Sequence, residues 1–133
     1  MNKITDQLWI GDQIDATQRP LHAVGISRVV TICQTENHMT DEQFPIDDGP
    51  HEYDTFAGAV DASIEAFEAG ETVFVHCHAG QSRSVCASAA ALAVTRGESI
   101  GEALDTIRAE RTVFPSPYLM RSARRYVDEA DVA

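Results

Sequence analysis

Short apolar runs alternate with segments of helical spacing along the chain, and this alternation predicts a sheet covered by helices. Three runs predict strands: Leu8 to Ile10, Arg28 to Cys33 and Thr72 to Val75. The second and third runs are apolar over consecutive positions and rich in β-branched residues. Such runs are typical of parallel strands that are buried on both faces.

Other segments have the spacing or the boundary residues of helices. Apolar residues recur at three- and four-residue steps from Tyr53 to Ala69, and Gly70 follows where a helix C-terminal cap belongs. The remaining predicted helices are a weak stretch from Asp12 to Val24 that Pro20 interrupts, an alanine-rich stretch from Arg83 to Thr95 that Gly97 ends, a segment from the capping-box pair Ser99 and Glu102 to about Glu110, and a last segment from Pro115–Pro117 to near Asp128.

The segments between these elements are polar or rich in turn residues. Gln34 to Asp41 is a predicted loop, Phe44 to Ile46 a short extended piece, and Asp47 to Pro50 a turn. No linker, repeat or low-complexity tract divides the 133 residues. The pattern therefore predicts one α/β domain over residues 1–133, with a partly parallel sheet and helices packed against it.

The charge of the chain excludes several kinds of partner. Acidic residues outnumber basic ones by 21 to 10, which gives a net charge of -11. Binding to nucleic acid or to anionic membranes depends on a basic surface, so neither partner is expected. No apolar run approaches the ~20 residues that cross a bilayer, and the first residues lack the apolar core of a signal peptide. We therefore expect a cytoplasmic protein; the pattern indicates no particular oligomeric state.

The acidic composition also predicts a response to salt. Lys3 is the only lysine, and this scarcity beside many Asp and Glu residues favours a protein adapted to concentrated salt over an acidic protein from an arginine-rich genome. We expect the melting temperature to rise from low salt to molar potassium chloride, because salt screens the repulsion between acidic groups. A melting temperature that is flat or falls over that range would contradict the adaptation to salt.

The three cysteines, Cys33, Cys77 and Cys86, contain no C-x-x-C pair, which argues against a disulfide scaffold and a four-cysteine zinc site. One of them belongs to the most specific motif of the chain, His76-Cys77-x-x-Gly80-x-x-Arg83-Ser84, at a predicted strand-to-helix junction. Five fixed residues at this spacing occur by chance about once in ten million starting points. The motif is therefore a strong signal.

Backbone N–H groups of such a loop can converge on one anion, and the helix that follows adds the positive end of its dipole. Gly80 permits a positive φ, and the guanidinium of Arg83 can bind two phosphate oxygens at once. The predicted phosphate-binding residues are His78, Ala79, Gly80, Gln81, Ser82 and Arg83.

Cys77 lies at the bottom of this positive cup, where the thiolate is favoured and can attack phosphorus. The alternative is that Cys77 is a core cysteine and Arg83 a surface residue. His76 is predicted to be a buried structural histidine that is hydrogen-bonded to the loop. His76 and His78 flank Cys77, but neighbouring residues of a strand point to opposite faces, so no metal site is expected.

The loop HCHAGQSRS resembles the signature of the cysteine-dependent protein tyrosine phosphatases, and specifically of the small dual-specificity phosphatases. The resemblance covers nearly the whole chain: Leu8–Gly11 is similar to the early L-x-x-G strand of the family, Gly25–Val30 to its G-I-T-x-V-I strand, Phe44–Gly49 to its general-acid loop and Arg121–Tyr126 to its closing helix. It implies a protein tyrosine phosphatase-like fold, with a four- or five-stranded mixed, partly parallel sheet flanked by helices. It also implies the hydrolysis of phosphate monoesters through a phosphocysteine. The implied substrates are phosphotyrosine and phosphoserine or phosphothreonine in proteins.

The resemblance also implies the roles of individual residues. The second aspartate of the family's P-x-D-D-G loop is the general acid, which corresponds to Asp48, 29 residues before Cys77; Asp47 is the alternative. The hydroxyl of Ser84 stabilises the departing thiolate. No metal or organic cofactor is expected, because Arg83 and the loop N–H groups supply the positive charge. Many relatives carry an asparagine that supports the loop where this chain has Ser116.

Other functions of a C-x5-R loop remain open. Arsenate reductases carry the loop near the N-terminus, and rhodanese-type sulfurtransferases lack an aspartate loop at this interval; a non-catalytic phosphate-binding module is a third alternative. Relatives with the same loop also act on phosphoinositides or RNA 5′-phosphates.

In some relatives a cysteine at the end of the strand that corresponds to Arg28–Cys33 forms a reversible disulfide with the nucleophile. The resemblance therefore implies that Cys33 is a redox partner of Cys77. The alternative is a small buried side chain without a redox role. Cys86 is a weaker candidate, since its position on the predicted helix faces the core.

Overall fold

The computed structural model describes residues 1–18, 20–34 and 40–132, which form a five-stranded sheet with helices on both faces. The strand order is β1-β2-β5-β3-β4. Strand β1 is antiparallel to β2, and the other neighbours are parallel. The strands are β1 (Asn2–Thr5), β2 (Leu8–Gly11), β3 (Arg28–Thr31), β4 (Glu42–Gln43) and β5 (Val73–His76).

The helices follow the predicted pattern closely. They are α1 (Gln13–Gln18), α2 (Tyr53–Glu68), α3 (Arg83–Arg96), α4 (Ile100–Arg108) and α5 (Pro117–Val132), with a 3-10 turn at Leu21–Val24 after Pro20. Gly70, just beyond α2, has a φ of +75°, and the Ser99–Glu102 capping box at the start of α4 is formed. The last helix runs four residues further than the sequence predicted.

Alternate residues of the three inner strands point to opposite faces of the sheet, and both faces are buried. Trp9 and Val29 are the register partners of Phe74, and these three side chains pack in a small cluster beside α1 and the 3-10 turn. The other face belongs to the main core, which α2 to α5 cover. The inner strands contribute Leu8, Ile10, Val30, Val73 and Val75 to this core, and Ile32 joins it just after β3. The predicted burial of β3 and β5 on both faces is confirmed.

Helix α3 lies at the centre of the helical layer. Every residue from Ser84 to Ala93 is buried, and most of these side chains are alanine or serine. Small side chains allow neighbouring helices to approach closely, so α3 packs against α2, α4 and α5 while its N-terminus meets the end of β5. The fold thereby fixes where α3 begins.

Two edge strands, β1 and β4, were not predicted. An edge strand needs little apolar surface, and neither Asn2–Thr5 nor Glu42–Gln43 has a run of apolar residues. Of the predicted loop Gln34–Asp41, residues 35–39 lie outside the described residues. Among the helices of the described chain, none is long and apolar enough to span a membrane.

The parallel strands β2, β5 and β3 end side by side, at Gly11, His76 and Thr31. In α/β sheets, ligands bind beyond the carboxyl ends of parallel strands. The signature loop follows β5, the central strand, at this edge of the sheet.

Candidate active site

The loop of residues 77–82 joins β5 to α3 and holds the sulfur of Cys77 at its base. Cys77 is only 2% exposed. Its Sγ accepts a hydrogen bond from the backbone N–H of Gly80 at 3.2 Å and lies 3.1 Å from the Oγ of the buried Ser84. Both groups can donate a hydrogen bond to a sulfur anion.

Donors outside the loop hold its carbonyl groups. The N–H of Gln13 bonds the carbonyl of His78 (3.1 Å), Arg111 bonds those of Ala79 (3.2 Å) and Gly80 (2.7 Å), and the N–H of Phe114 bonds that of Gln81 (2.9 Å). A trans peptide places its C=O and N–H on opposite sides, and the described residues contain no cis bond. The N–H groups of residues 79–82 therefore turn away from these donors, toward the centre of the loop.

Only glycine fits at position 80. The φ of Gly80 is +68°, and a Cβ there would lie 2.5 Å from the backbone oxygen of Gly11 and 2.5 Å from Nη2 of Arg111. The sequence predicted the positive φ. The close approach of β2 and Arg111 to this backbone is a second reason for glycine.

Arg111 is a site residue that sequence reasoning missed. Besides the two loop carbonyls, its guanidinium bonds Oδ1 of Asn2 at 2.9 Å, so it ties the loop to strand β1. The hydroxyl of Ser116 accepts from the N–H of Tyr118 at the start of α5, while the backbone N–H of Ser116 donates to Oγ of Ser82 at 2.8 Å. Support of the loop therefore comes from the Arg111 side chain and from backbone groups, with the Ser116 hydroxyl used elsewhere.

Arg83, the first residue of α3, links the loop to the turn of residues 47–50, which we call the aspartate turn. The link is made at Ile46, the residue just before this turn. The Nη1 of Arg83 donates to the carbonyl of Ile46 at 2.9 Å and to Oε1 of Gln34 at 3.4 Å. Its Nε is buried and has no hydrogen-bond partner within the described part of the chain. This N–H is therefore available to an anion.

The two aspartates of the turn have different surroundings. Oδ1 of Asp47 accepts a 2.8 Å hydrogen bond from Nε2 of Gln34. Asp48 has no side-chain hydrogen bond to another described residue. Its charge affects the pKa of Cys86, a buried residue of α3. Burial raises the pKa of the Cys86 thiol to about 12, and the charges of Asp48 and Cys77 add to that increase. Of the two aspartates, Asp48 is thus the one whose carboxyl group no described side chain binds, and its charge acts on Cys86.

The two histidines beside Cys77 lie in different environments. His76 is 1% exposed; its Nε2 lies 2.7 Å from Oγ1 of Thr31, and its ring stacks on Phe74. Burial lowers the pKa of His76 to about 4, against a smaller opposing effect from the backbone of Cys77. His78 is exposed, and its Nδ1 lies 2.9 Å from Oε1 of Gln13. His76 is therefore neutral at physiological pH.

Acidification should destabilise the protein through His76. Because its folded-state pKa is about 4 and its ordinary value is 6.5, the unfolded chain binds a proton between these pH values that the folded chain does not. The free energy of unfolding therefore falls as the pH decreases through this window, by up to about 3 kcal/mol from this group. Urea denaturation at a series of pH values measures the fall. His76→Gln should have a shallower dependence, and equal slopes in the two proteins would contradict the assignment.

Cys33 and Cys86 are both buried and free. Cys33 follows Ile32, whose N–H donates to the carbonyl of His76 at 2.8 Å. The carbonyl of Cys33 accepts a hydrogen bond from Nε2 of Gln43. The disulfide between Cys33 and Cys77 stays a prediction.

The described residues contain no group of three or more His, Cys, Asp or Glu side chains arranged to hold a metal ion.

A buried cysteine and an arginine lie on one strand–loop–helix junction of an α/β fold, the arrangement that the sequence predicted for a phosphate-binding cysteine loop. The chain belongs to the dual specificity phosphatase catalytic domain family, which matches residues 8–129. It is 29% identical to mouse Dual specificity protein phosphatase 1 over 120 residues (84% of this chain, 32% of that protein) and 30% identical to the human protein over 115 residues (80% and 31%). The chain thus spans about a third of the length of these relatives.

The fold agrees with this membership. The structure of human DUSP28 superposes with a TM-score of 0.88 at 22% identity and covers 99% of both chains. The family and the fold class predicted from the sequence are therefore confirmed.

Proposed function

We propose that this chain is a protein phosphatase that hydrolyses phosphotyrosine and phosphoserine or phosphothreonine through a phosphocysteine. The observation that carries the proposal is the Cys77 sulfur at the base of the loop, which accepts the Gly80 N–H and lies 3.1 Å from the Ser84 hydroxyl. Such a loop binds the oxygens of a phosphoryl group and places phosphorus above the sulfur. Its residues His78 to Ser82 and Arg83 are the proposed phosphate-binding set.

In the first step, the Cys77 thiolate attacks phosphorus, and an S–P bond forms while the P–O bond to the substrate breaks. Arg83 and the loop N–H groups stabilise the oxygens of the transferred group. Asp48 gives its proton to the leaving oxygen, which departs as an alcohol or a phenol. The Gln34 hydrogen bond occupies Asp47, which supports Asp48 in this role.

In the second step, water attacks the phosphocysteine and releases inorganic phosphate. The Asp48 carboxylate takes a proton from that water, which returns the acid to its starting state. The Cys77 sulfur leaves as a thiolate, and the Ser84 hydroxyl, 3.1 Å away, donates to it. The His76 ring, which lies 2.7 Å from Oγ1 of Thr31 and stacks on Phe74, stays uncharged during both steps.

The exposed side chains on the segments around the loop, which we call its rim, favour a peptide as the substrate. Ile14, Phe114 and Tyr118 are large apolar or aromatic side chains with exposures of 62%, 68% and 46%. The segments that carry them contact the loop through Gln13, Phe114 N–H and Ser116 N–H. Large apolar groups that are exposed beside a site can form part of a binding surface. We propose that this rim contacts the phosphotyrosine ring and apolar side chains next to it in the substrate.

Turnover assays test the proposal and its rivals together. We expect the protein to hydrolyse p-nitrophenyl phosphate and phosphotyrosine peptides, and a phosphopeptide array probed with the Cys77→Ser variant should capture peptides with apolar flanking residues. Turnover only of phosphoinositides or RNA 5′-phosphates would overturn the proposed substrate class. Reduction of arsenate or sulfur transfer from thiosulfate, without phosphatase activity, would overturn the reaction itself.

Replacing Asp48 separates the two candidate acids. Asp48→Asn should lower kcat with aryl phosphates by about 10²-fold, because an amide cannot supply the proton. Asp47→Asn should lower kcat much less, since the Asp47 carboxylate bonds Gln34. Steady-state kinetics with p-nitrophenyl phosphate measure both. A larger loss in Asp47→Asn would show that the acid has been assigned to the wrong residue.

A further inference from the structure

His51 connects the aspartate turn to the body of the protein. Its Nδ1 lies 2.7 Å from the carbonyl oxygen of Gly49, and its Nε2 lies 2.7 Å from Oγ of Ser122 on α5. Ser122 is 8% exposed, and the ring packs at 5.9 Å from the fully buried Phe56 of α2. The imidazole therefore joins the turn to two helices of the core.

The chemistry of the contacts defines the hydrogen-bond pattern of the neutral ring. A carbonyl can only accept, so Nδ1 carries the proton and donates to Gly49. Nε2 is then an acceptor, and the Ser122 hydroxyl donates to it. Both ring nitrogens are thus used, and the position of the ring is fixed from both ends.

The turn depends on such bonds because packing does little to hold it. Asp47 and Asp48 are exposed, and an open cleft runs beside the turn between Gln34, Pro45 and His51. Within the described residues, Asp48 itself has no side-chain hydrogen bond, so its direction follows from the backbone on either side.

Before Asp48, the bond from Arg83 to the Ile46 carbonyl holds the backbone. After Asp48, the bond from His51 to the Gly49 carbonyl does so. The first anchor belongs to the phosphate site itself. The second lies outside it and, among the described residues, contacts the turn at the Gly49 carbonyl.

We propose that His51, held by Ser122, is a positioning residue that aims the Asp48 carboxyl group at the leaving oxygen. This inference rests on the proposed function and names a determinant of its acid step. Loss of the anchor should impair protonation of the leaving group and leave the thiolate, the loop and Arg83 intact. The effect therefore depends on how much the leaving group needs a proton.

The test compares kcat/KM for phenyl phosphate and p-nitrophenyl phosphate, because phenoxide needs protonation more than p-nitrophenoxide. His51→Ala should lower kcat/KM for phenyl phosphate by about 10-fold and for p-nitrophenyl phosphate by less than about 3-fold, a part of what a general acid contributes. In the Asp48→Asn background, His51→Ala should have no further effect on either substrate. Orthovanadate binding should stay unchanged.

His22→Ala is the matched control: the Nδ1 of His22 also bonds a backbone carbonyl, that of Ile26 at 3.2 Å, in the 3-10 turn. It should not change the ratio of the two kcat/KM values. If His51→Ala does not fold, Ser122→Ala removes one of the two bonds and should raise the same ratio.

Equal losses with both substrates, or an undiminished effect of His51→Ala in the Asp48→Asn background, would overturn the positioning role and leave the proposed function intact. Absence of any Cys77-dependent turnover in the unaltered protein would overturn both.

Discussion

Cys77→Ser should abolish phosphatase turnover, with a loss of at least about 10⁴-fold in kcat. A serine hydroxyl stays protonated in the place where the thiolate accepts from Gly80 and Ser84, so the attacking anion is missing. The loop N–H groups and Arg83 are untouched, and binding of inorganic phosphate should persist. Steady-state kinetics and isothermal titration measure the two properties in the same preparation.

Cys86→Ala is the matched control for this variant. Cys86 is buried on α3, and its raised pKa, about 12, keeps it a neutral thiol. It should retain turnover under reducing conditions. Iodoacetate should label Cys77 selectively, and phosphate should protect it. Normal turnover in Cys77→Ser would refute the covalent mechanism as a whole.

Arg83→Ala should remove both turnover and phosphate binding, with a loss of about 10³-fold in kcat/KM. Two effects combine here: the guanidinium fork that binds the phosphoryl oxygens is lost, and the Ile46 carbonyl loses its 2.9 Å bond. Arg83→Lys keeps the charge without the planar fork and should recover only a small part of the activity.

Arg96 offers the control on the same helix. It lies at the other end of α3, where its exposed guanidinium pairs with Glu98 at 3.2 Å. Arg96→Ala should have near-normal kinetics. Phosphate affinity that survives in Arg83→Ala would mean that backbone groups alone bind the anion, and would contradict the proposed role of the fork.

The parts of the fold that the sequence predicted are those with local signals. Strand β5, the loop and the start of α3 are consecutive in the chain, so the motif His76 to Ser84 contains the geometry of the site within nine residues. The buried strands and helix α2 could be predicted from the spacing of their apolar residues. Family, fold class and the phosphate loop could all be predicted for this reason.

The residues that hold the site in place from outside the motif have no local sequence pattern that identifies them. Arg111 lies 31 residues after the carbonyl of Gly80 that it bonds, and it is one of nine arginines in a chain with a single lysine. His51 bonds Ser122, 71 residues away. Contacts of this kind depend on how α5 and the α4–α5 connection pack against the loop. Spacing along the chain does not reveal them.

The phosphate loop presents peptide N–H groups inward, and peptide dipoles do not depend on which side chains cover the rest of the molecule. We therefore expect the N–H groups of the loop to attract an anion although the chain as a whole carries a net charge of -11. The acidic exterior and the proposed chemistry of the loop then depend on different atoms.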